Sequence, residues 1–281
     1  MKKTAFLYVY AIALIACNSE NKITNSSDYS IYLQKIHSGK NLTAIDAEII
    51  FWKKRLINVE DDIISRSKLA GLFESRFTYS GDIGEIHQAD SLYKIVNRIQ
   101  SLNSSGTFRS LAANCIKQHK SQQAQLYIDS ALVFGDDKYL TVLMEFDISM
   151  ELGSKYRAGK ALRSLVNKNS FDYLIRAAKF KDHIEGNLDE SIVLMEKTLK
   201  EVEKNQSLLL LTKSNLGDMY GHANRFRESY QSYLDALSND PEYYHALKGI
   251  AWLAFSHDKN TLEACREKIV RTRSCISVGN L

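Results

Sequence analysis

The sequence contains a single proline, Pro241, among 281 residues. Because proline interrupts helix interiors and is frequent at turns, its scarcity favours a chain built mostly of helices and argues against a loop-rich β-sandwich. Four cysteines are present, and no two have the close spacing of a zinc knuckle. The formal net charge is only +4, and no run of five basic residues occurs. The sequence therefore predicts no nucleic-acid partner.

Motifs that carry chemistry are also missing. The loop Asn103–Gly106 lacks the lysine of a phosphate-binding loop, and no Gly-x-Ser-x-Gly nucleophile elbow is present. The seven histidines do not form the spacing of a zinc-protease helix. Acidic pairs at 61–62 and 136–137 fall in predicted turns, where carboxylates cap helix N-termini. We therefore predict no enzymatic activity, no cofactor and no metal site.

What the chain does contain is an ordinary amount of core-forming material. The apolar fraction is 44% and the charged fraction 25%, as in folded globular domains. The length leaves room for one large domain or two small ones. Disorder is therefore not expected for most of the chain.

The N-terminus has the features of a targeting segment. Lys2 and Lys3 precede an apolar stretch, residues 5–16, that is too short to span a bilayer comfortably. The stretch ends Leu14-Ile15-Ala16-Cys17, which resembles the lipobox of bacterial lipoproteins. In that family the cysteine receives a diacylglycerol and the peptide bond before it is cut. The alternatives are an ordinary signal peptide, or a buried apolar helix with a chance cysteine.

The lipobox resemblance implies a division of the N-terminal region. Residues 1–16 are predicted to be a signal peptide and residues 17–43 a lipidated Cys17 followed by a polar tether, because residues 18–28 are too polar to fold alone. The implied location is the bacterial cell envelope, with lipid on Cys17 holding the chain to a membrane. The outer membrane is expected, and its periplasmic and surface sides both stay open.

A repeat is clearest near the C-terminus. Its residues are Leu216, Gly217, Tyr220, Ser229, Tyr233, Ala236 and Pro241. The pattern resembles the tetratricopeptide repeat (TPR), in which two antiparallel helices cross closely at small residues and a proline ends the unit. Ser229 stands where that family usually has alanine.

The small-residue landmark recurs along the chain at Ala89, Ala124, Ala158, Ser191, Ser229 and Ala264. The steps are 35, 34, 33, 38 and 35 residues, against a TPR period of about 34. The resemblance implies an all-α fold, a TPR-like α-solenoid of about five to six antiparallel helix pairs over residues 44–270. Residues 271–281 are predicted to be an irregular tail, and no polar capping helix is evident before them.

The TPR resemblance implies a groove lined by the first helix of each pair, which takes a protein or peptide partner. The predicted groove residues are Asn215, Asp218, His222, His245, Lys248 and Trp252, together with Leu211, Ser214 and Phe255. A similar set is expected upstream at Met144, Asp147, Met150, Arg176, Phe180 and His183. Trp252 is either an exposed anchor for the partner or a core residue.

The predicted function is that of a non-catalytic scaffold or adaptor, anchored to a membrane and recruiting a protein partner. Two alternatives are an envelope enzyme with a groove site around His183, His222 and Asp218, and a regulatory module that responds to a ligand. The first is considered because Asp218 precedes His222 by one helical turn.

Overall fold

The structure is a computed structural model, and it describes residues 22–35, 40–57, 59, 61–100, 104–135 and 137–261. Cys17, the predicted signal peptide and residues 262–281 lie outside the described residues, and so does the landmark Ala264. Within the described ranges every regular element is a helix. In the same ranges no helix combines the length and the apolar composition that crossing a membrane requires.

Thirteen helices are described. Their bounds are α1 Ser26–Lys35, α2 Lys40–Leu56, α3 Ile63–Ser80, α4 Ile83–Gln100, α5 Ser105–Lys117, α6 Ser121–Phe134, α7 Lys138–Glu151, α8 Lys155–Ser164, α9 Phe171–His183, α10 Leu188–Glu201, α11 Gln206–His222, α12 Phe226–Asn239 and α13 Tyr244–Ser256. The pairs α3–α4, α5–α6, α7–α8, α9–α10 and α11–α12 each pack along their length. The predicted all-α, TPR-like arrangement of antiparallel helix pairs is confirmed.

The small-residue landmarks are buried where the two helices of each pair pack together. Ala89, Ala124, Ala158, Ser191 and Ser229 all have a relative exposure of 0%. Each lies on the second helix of its pair, where a larger side chain would push the two helices apart. The two serines use their hydroxyls within this contact: Ser191 Oγ donates to the Ala178 carbonyl over 2.8 Å, and Ser229 Oγ to the Gly217 carbonyl over 2.7 Å. Serine therefore replaces alanine here without leaving a buried hydroxyl unsatisfied.

The turn inside each of four pairs uses one left-handed residue. These residues are His119, Gly153, Gly186 and Asn224, with φ between 57° and 67°. Each stands five positions before the landmark of its pair. The amide of the following residue donates to a carbonyl in the last turn of the first helix. For example, the Arg225 amide donates to the Tyr220 carbonyl over 2.8 Å. The turn is therefore part of the repeat, although its residue type varies between glycine, asparagine and histidine.

One residue of each acidic pair that was predicted to cap a helix does so. Asp62 accepts a hydrogen bond from the Ser65 amide at the start of α3, and Asp137 accepts one from the Leu140 amide at the start of α7. A carboxylate at this position satisfies an amide that has no partner within the helix. These two residues therefore have a structural role.

The chain divides into two compact units. The central unit comprises residues 38–205 and contains α2 to α10. The terminal unit combines residues up to 37 with residues from 206 onward, so it contains α1 and α11 to α13. Its core is formed by α11 to α13 around Tyr233, Leu237, Leu247 and Ile250, all buried.

Residues 22–35 differ from the polar tether that their composition predicts. They contain α1, whose Tyr29 is completely buried in the core of the terminal unit, with Tyr32 and Leu33 packed beside it. These three side chains are spaced three and four residues apart, so they share one helix face. The average polarity of the segment hides this narrow apolar face, and its long-range partners cannot be read from local sequence. The helical region also begins earlier than residue 44, since α2 starts at Lys40.

Candidate functional site

The framework of the site is the contact between α11 and α13, the first helices of two neighbouring repeats. The ring of Tyr233, from α12, is inserted between them. A Cβ atom on Gly217 would lie 2.7 Å from this ring, and one on Gly249 would lie 2.1 Å from it. Glycine at both positions is what allows the tyrosine to pass between the two helices.

Asp218 is held at the surface of this framework by two partners. The Tyr233 hydroxyl donates to Asp218 Oδ1 over 2.6 Å, and His245 Nε2 lies 2.9 Å from Asp218 Oδ2. Burial raises the pKa of the Tyr233 phenol well above its ordinary value, and the charge of Asp218 raises it further. The phenol therefore keeps its proton and remains a donor, which fixes the carboxylate while leaving it partly open to solvent.

An exposed stripe follows on α13. His245, Lys248, Trp252 and Phe255 are three or four residues apart, so they lie on one face of the helix. Trp252 is 46% exposed and Phe255 57% exposed. The Lys248 ammonium lies over the Tyr244 ring, 5.0 Å from its centroid. We refer to Asp218 and these four residues as the terminal groove.

Trp252 is supported by the backbone of α11. A Cβ atom on Gly221 would lie 3.2 Å from the edge of the indole ring, so the ring rests against the backbone of α11. The other part of the ring faces solvent. Trp252 is therefore neither a core residue nor a freely rotating surface side chain, and a large apolar surface is presented in a fixed position.

The predicted groove residues have different environments. Asp218 and His245 are brought together, and Lys248 and Trp252 share one face of α13. The Asn215 amide instead donates to the Leu211 carbonyl of its own helix over 2.7 Å. His222 is exposed in the last turn of α11.

The prediction that Ser214 lines the groove is wrong. Ser214 is completely buried, and its hydroxyl lies 3.2 Å from the hydroxyl of Tyr243. On the helical wheel, Ser214 borders the face of α11 that packs on α13. The sequence of a single repeat does not show how far this packing face extends. Sequence reasoning also missed Gly221, the support of Trp252. A signal for it exists, because Gly221 follows Gly217 by one helical turn.

The corresponding face of the central unit is closed by polar contacts. Arg176 Nη2 donates to Asp147 Oδ2 over 2.6 Å, and Arg176 Nε donates to the Leu143 carbonyl over 3.3 Å. The prediction that Phe180 lines the groove is wrong. Phe180 is only 8% exposed, and it packs against Phe146 and against Gly159, where the absence of a side chain leaves room for its ring. The terminal groove differs in presenting two aromatic rings on one helix face, Trp252 at 46% and Phe255 at 57% exposure.

The residues of the alternative enzymatic site are not gathered in one unit. His183 belongs to the central unit, whereas His222 and Asp218 belong to the terminal unit. Among the residues that the structure describes, no group of three or more histidine, cysteine, aspartate and glutamate side chains is arranged to hold a metal ion. Asp218 instead bonds to Tyr233 and His245.

The fold is similar to that of solved TPR structures. One is a tetratricopeptide repeat protein from Parabacteroides merdae, 11% identical, with a TM-score of 0.57 over 89% of this chain and 98% of that one. The fold is also similar to that of the APC/C hetero-tetramer Cut9–Hcn1, 12% identical, with a TM-score of 0.60 over 89% of this chain and 49% of that one. No protein-family model matches the sequence, and no curated protein is significantly similar to it. At these identities the likeness establishes the TPR-like fold.

Proposed function

We propose that this protein is a lipid-anchored, non-catalytic adaptor of the bacterial envelope, and that its terminal groove binds a segment of a partner protein. The observation that carries the proposal is Trp252. It is 46% exposed, supported from behind by Gly221, and shares its helix face with His245, which contacts Asp218. A fixed aromatic surface beside directional polar groups is the composition of a protein-binding hot spot.

The chemistry of the groove suits a peptide better than a small polar ligand. Trp252 and Phe255 together present a broad apolar surface, which an aliphatic or aromatic side chain of the partner would cover. The free oxygen lone pairs of Asp218 and the ring of His245 lie toward the other end of the stripe, where they can bond to backbone or side-chain polar groups. First helices that line a groove of this kind are the usual recognition surface of helical repeats.

The membrane anchor in this proposal is supported by the sequence Leu14-Ile15-Ala16-Cys17 and by the basic and apolar residues before it. Lipid chains contribute about 0.8 kcal/mol per buried methylene, and two chains give stable attachment. The outer membrane is the proposed location. Anchoring would keep the adaptor, and with it the recruited partner, at the membrane surface.

The experiment is crosslinking of the native protein in its own envelope, followed by affinity purification and mass spectrometry. Trp252→Ala tests the groove, Cys17→Ala tests the anchor, and Tyr156→Ala is the matched control because Tyr156 is an aromatic residue of the central unit with 75% exposure. We expect Trp252→Ala to weaken recovery of a defined partner by about thirtyfold, the effect of a residue worth roughly 2 kcal/mol. We expect Tyr156→Ala to leave recovery unchanged.

Two outcomes would contradict the proposal. If no defined partner is recovered with a lipidated protein, the adaptor function is wrong and a transient, small-ligand or enzymatic role gains support. If a partner is recovered equally with Trp252→Ala and the parent protein, the adaptor function stands but the terminal groove is not its binding site.

A further inference from the structure

The first described residues of the chain are held by the last described turn. Both oxygens of the Asp258 carboxylate are occupied: Oδ1 accepts from the Ile23 amide over 3.0 Å, and Oδ2 accepts from the Thr24 amide and hydroxyl over 2.8 and 2.6 Å. His257 Nδ1 lies 2.7 Å from Oδ1. Asp258 is only 4% exposed. We call this set of contacts the N-terminal clasp.

A second pair of contacts extends the clasp. The Tyr230 hydroxyl accepts from the Asn25 amide over 3.1 Å, and it lies at the same distance from Asp28 Oδ2. Tyr29, four residues beyond Asn25, is completely buried in the core of the terminal unit. Residues 23–29 are therefore fixed both by hydrogen bonds and by a buried aromatic ring. Ile23, near the start of the described chain, therefore has a well-defined position in the terminal unit.

Four exposed basic residues are next in sequence to Ile23, to Asp258 or to Phe226. Lys22 directly precedes Ile23, and Lys259 directly follows Asp258. The ring of His257 lies 4.6 Å from the ring of Phe226, which brings the turn before α12 to the same place. Arg225 and Arg227 flank Phe226 and are exposed.

The acidic residues nearby balance only part of this charge. Glu228 lies 3.1 Å from Arg225 Nε, and Asp258 is buried within the clasp. Asp28 is exposed and contacts the Tyr230 and Ser27 hydroxyls. Lys259 Nζ donates to the Ser256 carbonyl of its own turn over 2.6 Å. We call Lys22, Arg225, Arg227 and Lys259 the basic rim. Among the described residues, their four positive charges are set against the carboxylates of Asp28, Glu228 and Asp258, so one net positive charge remains.

The distance from the clasp to Cys17 is short. Six residues separate Cys17 from Ile23 in the sequence. At about 3.5 Å per residue, even a fully extended chain reaches only roughly 20 Å. Lipid on Cys17 would therefore keep Ile23 within roughly 20 Å of the headgroups even in the fully extended limit, which is about two and a half Debye lengths at physiological salt.

We propose that the basic rim is a membrane-facing surface that binds anionic phospholipid headgroups, so that the clasp sets the orientation of the terminal unit on the bilayer. This inference rests on the proposed anchoring at Cys17. Two observations favour an anionic membrane surface as the binding partner: the positive charge of the basic rim, and the short chain segment between Cys17 and Ile23. A basic residue close to an anionic membrane contributes about fivefold to binding. The lipid supplies attachment, and the rim supplies orientation.

The test uses the full lipidated chain in vesicles of phosphatidylcholine alone and of phosphatidylcholine mixed with phosphatidylglycerol. Hydrogen–deuterium exchange is followed in residues 223–227 and 256–260 of the rim and in residues 153–157 of the central unit. We expect slower exchange in the rim segments on the anionic vesicles only, with no change at 153–157. Charge reversal with Arg227→Glu and Lys259→Glu should abolish this protection. Reversal of two exposed lysines of the central unit, Lys160→Glu and Lys200→Glu, should not.

The outcomes separate this inference from the anchoring proposal. An intact mass without lipid on Cys17, together with failure to float with vesicles, contradicts both. A lipidated chain that floats with the vesicles but shows no charge-dependent protection of the rim contradicts only the inference. Protection that is equally lost in the Lys160→Glu and Lys200→Glu variant also contradicts it, because net charge rather than the rim would then be responsible.

Discussion

The ring of Tyr233 lies against the backbone of Gly249 so closely that a Cβ atom at residue 249 would be 2.1 Å from the nearest ring carbon. Tyr233 is 2% exposed, so the ring has no room to move outward. Its hydroxyl is fixed by Asp218 over 2.6 Å. One contact therefore couples the core of the terminal unit to the carboxylate of the terminal groove.

The first prediction follows from this contact. Gly249→Ala should lower the free energy of unfolding of the terminal unit by about 1–3 kcal/mol, because the new methyl group overlaps a ring that cannot shift. The measurement is urea denaturation of the protein, followed by circular dichroism. If the ring does move, Asp218 loses its donor, and binding at the terminal groove should weaken in the same variant.

Gly71→Ala is the matched control for this prediction. Gly71 lies inside α3, and a Cβ atom there would meet nothing within 4 Å. Alanine is the better helix former, so this substitution should raise stability by about 0.5–1 kcal/mol. Equal effects of the two substitutions would show that the contact between Tyr233 and Gly249 does not restrict residue 249.

Much of the fold could be predicted from the sequence because a repeat records the same packing contact several times. The landmarks from Ala89 to Ser229 were predicted from their spacing, and all five are fully buried. The segment around α1 could not be predicted in this way. Its partners Asp258 and Tyr230 are more than 200 residues away in the chain, and no periodic pattern reports a contact of that kind.

The candidate site was predictable only in outline. The helical repeat places Asp218 and His245 on facing first helices, and the structure brings them to 2.9 Å. The burial of Ser214 and Phe180 depends on the rotation of each helix about its own axis. A difference of a few tens of degrees in that rotation decides whether such a side chain is buried or exposed. A consensus pattern fixes the packing residues to within one turn, but it does not fix that rotation.

The second prediction concerns Asp258. Asp258→Ala removes the acceptor for the Ile23 and Thr24 amides and the Thr24 hydroxyl. Leaving such donors unpaired should cost about 1–3 kcal/mol and release the clasp. We expect faster hydrogen exchange in residues 23–29. Asp189→Ala, at an exposed position in the first turn of α10, should change stability by less than about 0.5 kcal/mol.

The same carboxylate predicts an acid dependence. Burial alone would raise the pKa of Asp258, but the hydrogen bonds from Thr24, Ile23 and His257 together hold it below the ordinary value. A lowered folded-state pKa means that the stabilisation is present above the unfolded-state value, about 4, and is lost as the pH falls through the folded-state value. Exchange at 23–29 should therefore increase below about pH 4 in the parent chain. An acid response of the same size in Asp258→Ala would show that other groups cause it.

The third prediction concerns an ion-pair network in the central unit. Arg157 Nε donates to Glu145 Oε1 over 2.5 Å, and Arg157 Nη2 donates to Asp129 Oδ1 over 2.6 Å. The hydrogen bond to Glu145 contributes most to raising the pKa of Arg157 above its ordinary value. Glu145 is only 8% exposed, so Arg157→Leu would leave a buried carboxylate without its cation. We expect a loss of about 1–3 kcal/mol, reduced because Arg157 is itself partly exposed.

A double-mutant cycle tests this prediction. Adding Glu145→Gln to Arg157→Leu should recover part of the lost stability, because a neutral amide costs less to bury than a carboxylate and can still bond to Gln125. The two effects should therefore be less than additive, by at least about 0.5 kcal/mol. Simple additivity in urea denaturation would mean that Arg157 and Glu145 are not energetically coupled.

The fourth prediction is that the Cys115 thiol is unreactive in the folded protein. Cys115 is 5% exposed among Ala112, Ala124 and Ile128, and burial is the main cause that raises its pKa above the ordinary value. Because the thiolate is the reactive form, iodoacetamide should modify Cys115 only when the central unit opens. Peptide mass mapping distinguishes it from Cys265 and Cys275. Val133→Cys provides the comparison, since Val133 is 79% exposed on the neighbouring α6. Modification of Cys115 at a rate close to that of the cysteine introduced at 133 would contradict a purely structural role, because a packed core residue cannot reach the reagent without local unfolding.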